Sequence, residues 1–224
     1  MERFTSFDFG LSALTALFHE DWVRLGGVEG VVHSYLSVGE DIAADEAQRK
    51  EAAELKRDVT KLADSSLSDR RIETLVSMST SWNYRFRDEG TGRTFLGRVS
   101  RVCQRWQDTY GYVSAEDDQA WFSLDAVNEV RNAIANTPLR IPDELRRYFE
   151  SNVMEMRDAL DVCAQSASPD LAFRILLRTH VSNFIPVSRD SRVEYEKIAS
   201  RLALGEDLIS SLDFLTLDTA LESD

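Results

Sequence analysis

The sequence predicts an all-α protein, a multi-helix bundle with room for one short β-hairpin near residues 82–94. Three observations predict it. Apolar residues recur at helical spacing along almost the whole chain. Four prolines and ten glycines in 224 residues are too few to punctuate many short strands. Hydrophobic residues make up 43% of the composition, which suffices for a packed core.

A first helix over about residues 11–20 turns Leu14, Leu17 and Phe18 inward. Val28, Val31, Val32, Tyr35 and Leu36 repeat on one helical face and predict a second. Residues 43–63 are densely charged. They carry a thin apolar stripe of Ala44, Leu55, Val59 and Leu62, and favourable pairs one turn apart, Asp45 with Arg49 and Glu46 with Lys50. This predicts a surface helix. "SSLSD" then offers several caps for a shorter helix around Ile72, Leu75 and Val76. "WNYRFRDEGTGRT", residues 82–94, mixes aromatics with Gly90 and Gly92, and reads as an extended loop or a tight hairpin. The next helix places Phe95, Leu96, Val99, Val102, Cys103 and Trp106 on one face.

"DTYGYVSAEDD", residues 108–118, is polar, acidic and interrupted by glycine, and divides the chain into units 1–107 and 108–224. Beyond it, Ser123 caps a helix with Leu124, Val127, Val130 and Ile134 inward, which stops before Pro138. Pro142 takes a first helical position with acids just behind it, as the helix dipole prefers. Leu145, Phe149, Val153, Met156, Leu160 and Cys163 continue that helix's inner face. Ser168-Pro169-Asp170 opens another in the same way. Its body, "LAFRILLRTHVSNFI", is apolar on most sides and therefore central, and it ends at Pro186. A last helix over about 190–204 precedes an acidic tail, "LDTALESD".

The formal net charge is −13, and it is unevenly spread. Residues 1–107 hold 15 basic and 17 acidic side chains, residues 108–224 hold 11 and 22. Such a surface repels phosphate backbones, which disfavours direct nucleic-acid binding, and attracts a basic partner. No apolar run approaches the roughly 18 residues that cross a bilayer. "MERFTSFDFG" lacks the basic and apolar regions of a secretory signal. Cys103 and Cys163 are isolated, and read as buried thiols in a reducing compartment. The expectation is a cytoplasmic protein without membrane contact.

Catalytic and metal chemistry find little footing. His19, His33 and His180 are far apart with no HExxH spacing, "GTG" at 90–92 is not followed by the lysine of a phosphate loop, and no GxSxG occurs. The expectation is no catalytic residue, no metal and no cofactor. "FHEDW", residues 18–22, concentrates a histidine and two acids, but adjacent residues of a helix point to different faces and cannot chelate one ion. It reads better as a corner between helices. Phe18 enters the core, Trp22 anchors the turn, and His19 and Asp21 bond exposed helix-end groups.

These residues carry a resemblance. "LFHEDW" at 17–22, "VEGVVHSYL" at 28–36, a charged helix, "WNYRF" at 82–86 and a glycine turn into "FLGRVSRV" at 95–102 resemble, in that order, immunity proteins of bacterial contact-dependent growth inhibition systems. The resemblance covers about residues 8–107. Phe18, His19, Asp21, Trp22, Trp82 and Tyr84 are its motif positions. It implies a non-enzyme that binds and neutralises the toxic C-terminal domain, often a nuclease, of a delivered effector. An acidic helical scaffold or adaptor without a toxin partner is the alternative. For the neutraliser, the expected contact residues are Glu116, Asp117, Asp118, Asp125 and Glu129 with the aromatic Trp121, because they are dense, acidic and beside a possible anchor.

Overall fold

The computed structural model describes residues 7–36, 45–86, 90–115, 123–137, 139 and 143–217, with backbone alone for 143–152. The described chain is built almost wholly of helices: α1 (Gly10–Ala16), α2 (Gly27–Tyr35), α3 (Glu46–Asp64), α4 (Asp69–Ser79), α5 (Gly92–Tyr110), α6 (Leu124–Asn136), α7 (Asp143–Ser166), α8 (Pro169–Ser182), α9 (Arg189–Arg201) and α10 (Glu206–Ser210). Side-chain caps fix several starts. Ser68, Thr91, Ser123 and Ser188 each accept a backbone N–H three residues on. Asp45 and Gln48 form a reciprocal capping box at α3, so Asp45 serves the helix end rather than an ion pair with Arg49, while Glu46 does reach Lys50 at 3.2 Å.

Helix α3 corrects the expectation of a surface helix. Ala52, Ala53, Leu55, Val59 and Leu62 are buried, and so are Glu54 and Asp58. The helix packs along α5 and against α1. Its charges misled because the fold supplies arginines that neutralise them inside. Helix α8 is central as expected, with every residue from Leu171 to Leu177 buried, Arg174 included.

The β element also lies elsewhere. Among the described residues of 82–94 there is no strand. Ser81 and Trp82 adopt left-handed φ of 51° and 62°, and α5 begins at Gly92 under the Thr91 cap. The sheet is instead a parallel pair, β1 (Val187–Ser188) with β2 (Thr216–Leu217), in register Val187 to Thr216. It ties the segment entering α9 to the end of the described chain.

One buried apolar network runs through helices on both sides of residue 107. Helix α4 packs on α7 and α8, and α1 packs on α8. Among the described residues, no helix is long and apolar enough to cross a membrane.

Candidate partner-binding surface

The "FHEDW" stretch is a corner. Helix α1 stops at Ala16, and the chain reverses through a 3-10 turn, Trp22–Leu25, into α2. Trp22 N–H bonds His19 O at 3.0 Å, and the exposed His19 ring accepts the Asp21 N–H at 3.3 Å. Asp21 turns outward to Arg24 at 3.3 Å. Phe18 and Trp22 go inward, where Tyr84 lies 5.2 Å and 5.3 Å from their rings and Phe95 completes the cluster 5.1 Å from Tyr84. The Trp22 indole donates to Asn83 O at 3.0 Å. Trp82 packs against this core from its edge. Two motif segments some sixty positions apart are thus locked by ring contacts worth roughly 0.5–1.5 kcal/mol each. Gly30 lets α2 close on the turn, since a Cβ there would sit 1.6 Å from Leu25 O.

A second assembly was not expected from sequence. Arg174 of α8 is fully buried and reaches three segments. Its Nη2 donates to both Asp58 oxygens at 3.0 Å, its Nε to Asp170 at 3.1 Å, and its Nη1 to Phe9 O at 2.7 Å. The guanidinium also lies 4.1 Å over the Phe9 ring. Asp58 accepts the Leu11 N–H at 3.0 Å, and the Tyr35 hydroxyl accepts that of Gly10 at 3.0 Å. The start of α1 is therefore capped by other helices. Arg57 joins Glu54, Asp58 and Asp170, and Arg178 joins Asp8 at 2.6 Å. Burial pulls the Arg174 guanidinium down, but Asp170 and Asp58 outweigh it and hold it well above its ordinary range. The signal was present in sequence as an arginine inside "LAFRILL" with an acid four residues before it. This cluster is sealed, and its work is to join helices.

Burial pushes the Cys103 and Cys163 thiols up to about 12, so neither is an activated nucleophile. Among the described residues, no group of three or more His, Cys, Asp or Glu side chains converges as metal donors.

The acidic contact residues fall unevenly. Glu116, Asp117, Asp118 and Trp121 lie outside the described residues. Asp125 is exposed in the first turn of α6, beside Leu124. Glu129 is partly covered, and Arg201 of α9 reaches it at 2.9 Å, so its charge is already answered within the chain. That ion pair joins α6 to a neighbouring surface that sequence reading passed over. There a cleft of about 630 Å³ lies between α9 and α10, lined among others by Arg192, Glu196, Ala199, Glu206, Asp207 and Ile209. Near its Arg192 end, Phe184 and Phe214 pack edge to face in solvent, with ring centroids 6.4 Å apart. Comparisons of the chain with family models, with curated proteins and with solved structures give no match.

Proposed function

We propose that this chain is an immunity protein. It binds the toxic C-terminal domain of a contact-dependent growth inhibition effector, a basic nuclease domain, and neutralises it in the cytoplasm. The observation that carries the reading is the ordered motif set over residues 8–107. Three features support it. The motif residues act as a corner and a ring cluster, which suits a binding scaffold better than a reactive centre. Residues 108–224 carry twice as many acidic as basic side chains, which favours fast capture of a basic domain. The histidine of the motif, His19, is exposed and held to its own turn.

The test is growth rescue. Expressing the C-terminal domain of the effector encoded just upstream should arrest growth. Co-expression with this chain should restore it, and the two chains should co-purify. A folded chain that neither rescues nor co-purifies would leave the acidic helical scaffold as the better reading.

A further inference from the structure

The end of α8 carries an unusual expense. Its last turn closes with two backbone bonds, Ile185 N–H to His180 O at 3.0 Å and Phe184 N–H to Val181 O at 3.4 Å. The residue closing such a turn adopts left-handed backbone, and glycine is the ordinary occupant because a Cβ is strained there. Here it is Phe184, at φ 51°. The same closure at α4 and α9 uses Ser81 and Ala203, and the second left-handed residue at α4, Trp82, packs its ring on the core. Phe184 combines backbone strain with a ring that is 70% exposed, and its neighbour Phe214 is 63% exposed. Beyond the contact between the two rings, neither property helps the isolated chain. Strain and solvent-facing aromatic surface held at one place point to use by a partner.

The adjoining surface gives that partner a charge. Asp213, next to Phe214, bonds Arg192, and Arg192 also meets Glu196 at 3.2 Å. Arg192, which lines the cleft, is thus already engaged, and the exposed Lys197 and Arg201 line the adjoining hollow along α9 rather than the cleft. Glu206 and Asp207 stand exposed at the start of α10 and line the cleft together with Ala199 and Ile209. Aromatic anchors beside a charged rim are the anatomy of a protein interface. An acidic rim selects a basic surface. A second copy of this chain, at net −13, brings like charge, and so does nucleic acid.

We propose that the face formed by Phe184, Phe214 and the α9–α10 cleft seats a basic protein surface, with the two rings as anchors and Glu206 and Asp207 as the receptors for its lysines or arginines. The proposal rests on the neutraliser reading and names its contact site. It moves the centre of contact away from residues 116–129.

Hydrogen exchange on the complex with the upstream effector's C-terminal domain tests it directly. Protection is expected across residues 183–185 and 203–217. Two variants follow. Phe184→Gly relieves the backbone, so the free chain should melt at or above the wild-type temperature, yet its complex should dissociate about tenfold faster. Glu206→Lys with Asp207→Lys should slow association about tenfold at low salt, with the difference shrinking at high salt. Protection confined to α6, with wild-type kinetics in both variants, overturns the site while leaving neutralisation standing. A wild-type chain that fails to bind the toxin domain overturns both. A free chain that is dimeric, and becomes monomeric on Phe184→Gly, assigns the face to self-association and also overturns the proposal.

Discussion

A proton added to His180 creates a charge in the core. The ring is buried, with Nδ1 donating to Ile185 O at 3.1 Å and Nε2 against the Tyr195 hydroxyl at 3.2 Å. That hydroxyl continues to Thr137 at 2.7 Å, so one buried chain of polar groups joins α6, α8 and α9. Burial pulls the imidazole down to about 4 from 6.5. The unfolded chain therefore takes up this proton first as pH falls. The stability due to neutral His180 is complete above pH 6.5 and is lost progressively down to about pH 4, by at most about 3 kcal/mol. Burial pushes Glu51 up, whereas Arg98 holds Glu29 down at about 2, so the stability due to ionised Glu29 is present above its ordinary value of 4.5 and is lost as pH falls from there towards 2. Urea unfolding at pH 7.5, 5.5 and 4.5 should show the decline in the wild type and a shallower one in His180→Gln. Parallel profiles would mean that His180 is not the titrating group.

At the scale of elements, α1 depends on neighbours rather than on itself. Seven residues are too few for a stable isolated helix, and its first N–H groups are met by Tyr35 and Asp58. Replacing Arg174 with Met would leave Arg57 alone to neutralise the buried Asp58 and Asp170, at a cost of about 3–5 kcal/mol. Urea unfolding should read that loss, and the Leu11 amide should exchange far faster than in the wild type. A loss within about 1 kcal/mol, the usual worth of an exposed pair, would mean that the cluster is better hydrated than its burial implies. The same cluster explains what sequence could and could not disclose. Helix α8 was legible because "LAFRILL" is apolar on most sides, whatever Arg174 does. Helix α3 was not, because dense charge reads as exposure, while the acids it buries are answered by Arg57 on the helix itself and by Arg174, 116 positions beyond Asp58. The corner at "FHEDW" was legible from Phe18 and Trp22 as core anchors, but α1 ends at Ala16 rather than near residue 20, and Asp21 meets Arg24 rather than a helix-end group. The strands at 187–188 and 216–217 were not, being two residues each and paired by the surrounding helices. Phe184 was illegible for a different reason. Helix-end rules look for glycine, and an aromatic near an apolar run is assigned to the core.

For the whole molecule, the question is how many units unfold. The composition shift at 108–118 suggested two, whereas α4 is packed on α7 and α8 across that line. Cys103 in α5 and Cys163 in α7 are natural reporters, one on each side, both fully buried and both with thiols raised to about 12. Neither should react with a thiol reagent until its helix opens. If the shared core behaves as one cooperative unit, both cysteines become reactive at the same urea concentration. Mass spectrometry of partly labelled protein should then show chains carrying no label or two. A population labelled at one cysteine alone would divide the molecule.

Arg174 also sets a clock on synthesis. Its bond to Phe9 O spans 165 residues, and the acid it neutralises, Asp58, sits on a helix made long before it. At about 5–20 residues per second, the ribosome needs on the order of ten to thirty seconds to add that much chain. Through that interval Asp58 has Arg57, its neighbour on α3, but lacks the second arginine that completes its pairing inside the core. The nascent chain must wait, its early helices still solvated around Asp58, until α8 emerges and locks the beginning of the protein to a segment near its end.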